Sequence, residues 1–305
     1  LFYKKIKTNE FMKVLVIGGG GFLGSYVADE LTLRDHKVKI FDKKKSKWIQ
    51  KKQQMILGNI QNLKTLEKAI KNSDIVYNFA AIADIGEAMK NPIQTVKTNI
   101  LGTINILELC KKYNVKKFIF ASTIYVHSSQ GGFYRTSKQA AELYIEEYGR
   151  RSNLNYTILR YGSVYGPRAS MKNGLSKIIF NALKSKKIGY SGTSKAVRRF
   201  IYAKDAAVAS VDILKKKYNN QNILITGKKL SKIKDILYLV GKILNISKKP
   251  KFDNETEKGH YDTTPYSYKP KKDKKYFLKN YVDLKNGLFQ LSAIIKKKWI
   301  NFKLN

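Results

Sequence analysis

The chain has one cysteine, three histidines and 22 acidic residues among 305. A single thiol, Cys110, excludes an intrachain disulfide and fits a reducing compartment, so the expected location is the cytoplasm. Three histidines and one cysteine form no cluster with metal-ligand spacing, and no metal is expected. No apolar run reaches the roughly 18–20 residues that cross a bilayer, which argues against a membrane protein. Residues 1–11 lack the apolar stretch of a signal peptide. Met12, directly before the first strand, reads as the natural start, with 1–11 an N-terminal extension. The few acidic residues face 60 basic ones, for a net charge of +38. Only eight of these are arginine, the side chain suited to bidentate base contacts. The lysines are scattered, with short runs at 43–45, 215–217 and 296–298, and are not interleaved with aromatics on one element. They read as a solvated surface that attracts anions, and a nucleic-acid partner is not expected.

Length and a hydrophobic fraction of 43% suffice for a large core. Apolar runs at 13–18, 37–42, 54–57, 75–79, 117–121 and 156–160 predict strands. Amphipathic stretches at 22–34, 63–71, 92–113 and 134–151 predict helices between them. The strands are nearly continuous in apolar residues, as expected when helices cover both faces. This alternation predicts an α/β fold, a doubly wound parallel Rossmann sheet. Past Arg160 the pattern loosens. Helices are expected at 174–186, from near Asp205, at 231–244 with Ser231 as cap, and near 284–299, with a strand at 222–226. The predicted organisation is a dinucleotide-binding domain over 12–167, to which 196–226 return. A smaller C-terminal lobe for substrate is expected from 168–195 and 227–305.

The stretch VLVIGGGGFLGS (Val14–Ser25) places Gly18, Gly21 and Gly24 as G-x-x-G-x-x-G between a strand and a helix. The first glycine permits the tight turn, the second the approach of a pyrophosphate, and the third close helix–strand packing. Gly19 and Gly20 are spacers. The helix N-terminus offers free N–H groups to an anion. Asp42, 18 residues past Gly24, stands where a carboxylate takes the adenosine ribose hydroxyls and repels a 2′-phosphate, so NAD is expected over NADP. Lys43 to Lys45 follow directly and weaken that preference.

The glycine stretch resembles the NAD-dependent epimerase/dehydratase family, the extended short-chain dehydrogenases/reductases. GNI (Gly58–Ile60), NFAA (Asn78–Ala81), NILGTINILE (Asn99–Glu108), FIFASTIYVHS (Phe118–Ser128), YRTSK (Tyr134–Lys138), RYGSVYGPR (Arg160–Arg168) and RRFIYAKDAA (Arg198–Ala207) follow in the family's order over about 12–244. The resemblance implies cofactor contacts from Phe22, Leu23 and Lys43 besides the three glycines and Asp42. Further contacts are implied from Asn59 and Ile60, from Phe79, Ala80, Ala81 and Ala83, from Asn99 and Ser122, and from Tyr161, Gly162 and Val164. It implies catalysis by Tyr134, Lys138 and Thr123, of which Tyr134 and Lys138 also touch the cofactor. Spaced i, i+4, the phenol and ammonium share a helix face, and the ammonium is expected to lower the phenol's pKa. The phenolate then takes a proton from a sugar hydroxyl, which Thr123 holds. Arg168 and Arg198 are expected on the substrate diphosphate. Ser163, where the family has Asn, and Thr123 complete the expected substrate contacts.

Two departures narrow the reading. Ile124 and Tyr125 stand where the family's 4,6-dehydratases carry an Asp-Glu pair, so dehydration is disfavoured. Thr123 and Tyr134 are only 11 residues apart, so the wall over the sugar is short and the tyrosine-rich stretch His260–Lys271 is a candidate cover. The expected activity is that of an NAD-dependent nucleotide-sugar 4-epimerase, with a UDP-sugar as default substrate and a homodimer as the expected assembly. The alternatives are a dehydrogenase, reductase or dehydratase of the same family and, from another class, a non-catalytic NAD sensor that binds a polyanion.

Overall fold

Val14, Leu15, Val16 and Ile17 are wholly buried, and a strand apolar on both faces needs cover on both sides. The computed structural model, which describes residues 11–253, 259–268 and 274–303, supplies that cover. The chain runs β1 (Lys13–Ile17), α1 (Phe22–Leu33), β2 (Lys37–Asp42), β3 (Gln53–Leu57), α2 (Leu63–Ile70) and β4 (Ile75–Asn78). Then come α3 (Ile85–Lys90), α4 (Pro92–Thr95), a π turn (Val96–Leu101), α5 (Gly102–Lys112), β5 (Lys117–Thr123), α6 (Gly132–Ser152) and β6 (Asn155–Tyr161). Beyond these lie β7 (Ser163–Tyr165), α7 (Gly174–Ser185), β8 (Gly189–Tyr190), β9 (Val197–Arg198), β10 (Phe200–Tyr202) and α8 (Ala203–Asp212). The described chain ends with β11 (Gln221–Ile225), β12 (Ser231–Lys232), α9 (Ile233–Ile243), β13 (Lys251–Phe252), β14 (Lys274–Tyr276) and α10 (Leu284–Lys303).

Eight strands form one sheet in the order β14-β11-β6-β5-β4-β1-β2-β3, every neighbouring pair parallel. The expected doubly wound parallel sheet is therefore present. Strand order reverses between β1 and β4, which opens a crevice at the carboxyl ends of those strands. On one face α1 and α8 pack Tyr26, Val27, Leu31, Ala206 and Ala209 against the sheet. On the other, α2, α5 and α6 bring Leu66, Ile70, Ile106, Leu107, Ala141 and Ile145. A separate apolar cluster joins α7, α9 and α10 through Leu175, Ile179, Leu237, Val240, Leu288 and Leu291.

Four local outcomes differ from expectation. The helix predicted over 92–113 is interrupted by the π turn, which turns Asn99 inward. Helix α3 was not foreseen, although its capping signal is in the sequence: Asp84 accepts from the Glu87 N–H at 2.7 Å. Ser231 does not cap α9; it lies in β12 opposite Arg198. Residues 274–276, placed with the C-terminal lobe on sequence grounds, add β14 to the sheet beside β11.

Gly24 binds α1 to the strand it follows. A Cβ there would lie 2.4 Å from the Gly18 carbonyl oxygen, far inside van der Waals contact. Gly24→Ala is expected to lower the unfolding free energy by about 1–3 kcal/mol, the usual cost of overpacking, in a urea titration.

Candidate active site

The crevice between β1 and β4 is lined by the backbone where glycines allow it. Gly18 has φ +75°, and a Cβ on it would meet the Ala80 nitrogen at 2.5 Å. The β1–α1 turn and the loop after β4 therefore touch backbone to backbone. Gly21 caps α1 without any side-chain cap, and the first turn carries no acid, so its N–H groups suit an anion. Asp42, at the end of β2, accepts from the Gly20 N–H at 3.0 Å. A methyl on Gly20 would stand 3.0 Å from the same carboxylate oxygen, so alanine there requires Asp42 to shift. A cavity of ≈ 180 Å³ runs from Gly18 and Gly21 past Asp42 and Lys43 to Ile60 and Phe79–Ile82. Cradle, uncapped helix end and terminal carboxylate fit a dinucleotide whose ribose hydroxyls are free.

Several expected cofactor residues are not among those that line this cavity. The Asn99 amide is occupied: it donates to the Ile82 carbonyl (3.0 Å) and Ser137 Oγ (2.9 Å) and accepts from the Ile82 N–H (2.8 Å). It thus staples the loop after β4 to α6. Asn59 accepts from the Gln61 N–H in a local turn. Phe22 and Leu23 are half-buried in the first turn of α1, and Ala83 is exposed beside the lining residues. Tyr161 turns its hydroxyl into the core, 2.6 Å from Ser210 Oγ. Gly162 backs onto Thr226, with its virtual Cβ 2.5 Å from Oγ1, and Val164 follows half-buried in β7.

Thr123, Tyr134 and Lys138 do come together, at the carboxyl end of β5 and the start of α6. Burial pushes the Tyr134 phenol up to about 12, and a hydrogen bond with Thr123 pulls the other way. Lys138 is 2% exposed. Its Nζ donates to the Ala121 carbonyl at 2.8 Å and stands 4.4 Å from the Phe120 ring centroid. Burial pulls it down to about 7, and Glu142 pushes it up. The expected depression of the phenol by the ammonium is not what this arrangement yields, because Lys138 is committed to the sheet carbonyl and desolvation dominates both groups. Ser122 donates to buried Glu142, which also grips Arg160 at 2.6 Å. Glu142 and Arg160 were missed in the sequence, although Glu142 lies one helical turn past Lys138 on the same face.

The two expected diphosphate arginines part company. Arg198 is buried, donates to the Asp262 carbonyl at 3.2 Å and stacks 4.1 Å from the Tyr261 centroid. Arg168 instead pairs with Asp29 of α1 at 2.6 Å and lies over the rings of Tyr26 and Trp48. Ser163 is half-buried in β7. Residues 259–268 lie as a strap against the segment that follows β5. His260 Nδ1 and the Tyr125 hydroxyl are 2.7 Å apart, Tyr261 packs on Tyr125, and the Tyr268 N–H donates to the His127 carbonyl. The part of the tyrosine-rich stretch at 269–271 lies outside the described residues.

A glycine cradle at a strand-order reversal, beside a Tyr-x-x-x-Lys helix, defines a dinucleotide-dependent Rossmann enzyme. The model of the NAD dependent epimerase/dehydratase family matches residues 14–226, and the chain belongs to that family. Its cofactor is NAD, which the crevice residues fit. A Methanocaldococcus jannaschii protein assigned as a UDP-glucose 4-epimerase is 32% identical over 72% of this chain and 78% of its own. A UDP-N-acetyl-alpha-D-glucosaminuronate decarboxylase of Bacillus cytotoxicus is 30% identical over 78% of this chain and 82% of its own. The crystal structure of the Bacillus cereus UDP-glucuronic acid 4-epimerase with UDP-glucuronic acid and NAD superposes with a TM-score of 0.81 at 27% identity, covering 94% of this chain and 100% of that one. Among the described residues no group of His, Cys, Asp and Glu could hold a metal ion, and no helix is long and apolar enough to cross a membrane.

The buried lysine carries a pH signature. Its folded value of about 7 lies below the ordinary 10.5. Between those values the unfolded chain binds more protons, so this group's contribution to stability rises with pH. Lys138→Met removes the cost of burying an ammonium. It is expected to raise Tm near pH 6, by roughly 2–4 °C per kcal/mol relieved, and to lose that advantage toward pH 10 in calorimetric scans.

Proposed function

We propose that the protein is an NAD-dependent 4-epimerase of a nucleotide sugar, with a UDP-sugar the first candidate. The observation that carries this reading is the meeting of Thr123, Tyr134 and Lys138 beside the NAD crevice, with no carboxylate at the next two positions. Ile124 is buried and Tyr125 is bonded to His260, so this segment offers no acid–base pair to expel water from the sugar. NAD supplies, when bound, a reversible acceptor for the hydride of a sugar carbon. Tyr134 takes and returns the proton of the sugar hydroxyl, Thr123 orients that hydroxyl, and Lys138, held on the Ala121 carbonyl, would hold the cofactor. The ring carbon passes through a ketone, and the sugar presents its other face before reduction.

Arg198 is our choice for the diphosphate, since a planar guanidinium matches two phosphate oxygens. Arg168, held by Asp29 and two rings, is assigned to joining α1 to the segment after β7. A cavity of ≈ 510 Å³ between α7, β8 and β13 carries Tyr190, Phe252 and Lys177. Ring faces with a nearby ammonium suit a nucleotide, and we assign the α7–α9–α10 unit as the substrate-binding lobe. Exposed Ile93 and Val96 before α5, with Leu143 and Tyr144 on α6, offer apolar surface for a homodimer through these helices.

Two measurements check the reading. Tyr134→Phe is expected to lower kcat by roughly 10²–10⁴-fold, the usual worth of a general base, while NAD stays bound. Turnover should be followed by mass spectrometry and NMR with UDP-, GDP- and dTDP-sugars. An epimer keeps its mass, loss of water marks a dehydratase, stoichiometric NADH marks a dehydrogenase, and full activity of the variant overturns the assignment of Tyr134. For assembly, light scattering on a sizing column should give twice the chain mass for the wild type and the monomer mass for Leu143→Glu; a monomeric wild type overturns the dimer.

A further inference from the structure

We propose that Glu142, clamped by Arg160 and Ser122, is a positioning residue that sets α6 in register on β5 and so holds Lys138 and Tyr134 at the reacting site. The inference rests on the reading of those two residues given above. Glutamate is seldom fully buried, yet Glu142 is only 5% exposed. Arg160 of β6, itself 2% exposed, donates to it from Nη2 at 2.6 Å and from Nε at 3.1 and 3.2 Å. Ser122 of β5 donates to the same carboxylate.

The neighbouring contacts give this anchor its meaning. Tyr134, Lys138 and Glu142 follow one another at four-residue spacing on α6. They meet Thr123, the Ala121 carbonyl and Ser122, three consecutive residues of β5. An apolar helix face alone permits several sliding arrangements on a sheet, whereas three directional polar contacts permit one. A buried ion pair adds little stability over an apolar pair of the same volume, so stability does not account for its presence. Glu142 also opposes the desolvation that lowers Lys138. The groups around Lys138 are Glu142 from α6 and the Ala121 carbonyl and Phe120 ring from β5, with Arg160 of β6 bound to Glu142. Glu142 is the anion among them.

The test uses the NAD-loaded protein with lysine labelled by ¹³C at Cε. The Lys138 resonance is identified by its loss in Lys138→Arg, which separates it from buried Lys117, itself lowered to about 8. The wild-type resonance should titrate near pH 7. The paired change Glu142→Met with Arg160→Met replaces the ion pair by apolar side chains and is expected to keep the fold. In that variant the Lys138 midpoint should move down by about 1 pH unit or more. The alkaline limb of kcat should move with it, at unchanged KM for the nucleotide sugar. An unmoved midpoint, or a fall in Tm with the pH profile intact, overturns the proposal. Where the paired variant does not fold, Glu142→Gln keeps the shape and must give the same downward shift, with partial return in Glu142→Asp. A wild type inactive on every nucleotide sugar overturns the functional reading alone, because the lysine titration needs no substrate.

Discussion

The structure depends on one place where backbone must touch backbone. With Gly18 in the left-handed region against Ala80, and Gly24 against the Gly18 carbonyl, β1 can turn directly into α1 with the helix lying close on its strand. The close approach aims the free N–H groups of α1 into the reversal between β1 and β4. It also fixes where the far end of α1 falls. There Arg34 reaches Asp212 of α8 at 2.6 Å, and Asp212 accepts from Tyr276 of β14 at 2.6 Å. A turn built for a phosphate thus also determines how the C-terminal edge of the sheet is secured.

A second constraint is the seam between α6 and β5. Its members are polar and largely withdrawn from water, a costly arrangement for lysine and glutamate unless partners and geometry are supplied. Here the partners come from consecutive residues of one strand, which makes the seam both satisfied and specific in register. The cost left over appears as the lowered lysine and the raised phenol, and departures from a stability optimum of this kind concentrate at functional sites.

The third feature is the strap. The connection between Thr123 and Tyr134 is short and leaves a thin wall. Residues 259–268 cross it, tied by the Tyr125–His260 hydrogen bond and by Arg198 stacking on Tyr261. The wall is therefore assembled from chain more than a hundred residues downstream, and Tyr125 serves as its point of attachment.

The sequence by itself determined the class of fold, the cofactor crevice and the placing of Tyr134 and Lys138 on one helix, because these rest on local and periodic rules. Apolar runs demand two covered faces, glycines at three-residue spacing demand a strand-to-helix turn, and i, i+4 spacing puts Tyr134 and Lys138 on one face. The α3 cap, Asp84 with Glu87, and the four-residue spacing of Glu142 from Lys138 are local signals of the same kind. Tertiary structure alone decided what each polar side chain faces. Arg168 went to Asp29 rather than toward Arg198, the Asn99 amide was used up by Ile82 and Ser137, Tyr161 turned to Ser210, and Lys138 chose the Ala121 carbonyl. Long polar side chains reach several partners from one backbone position. The partner chosen is set by which distant strands and helices bury that position, and no local pattern encodes that.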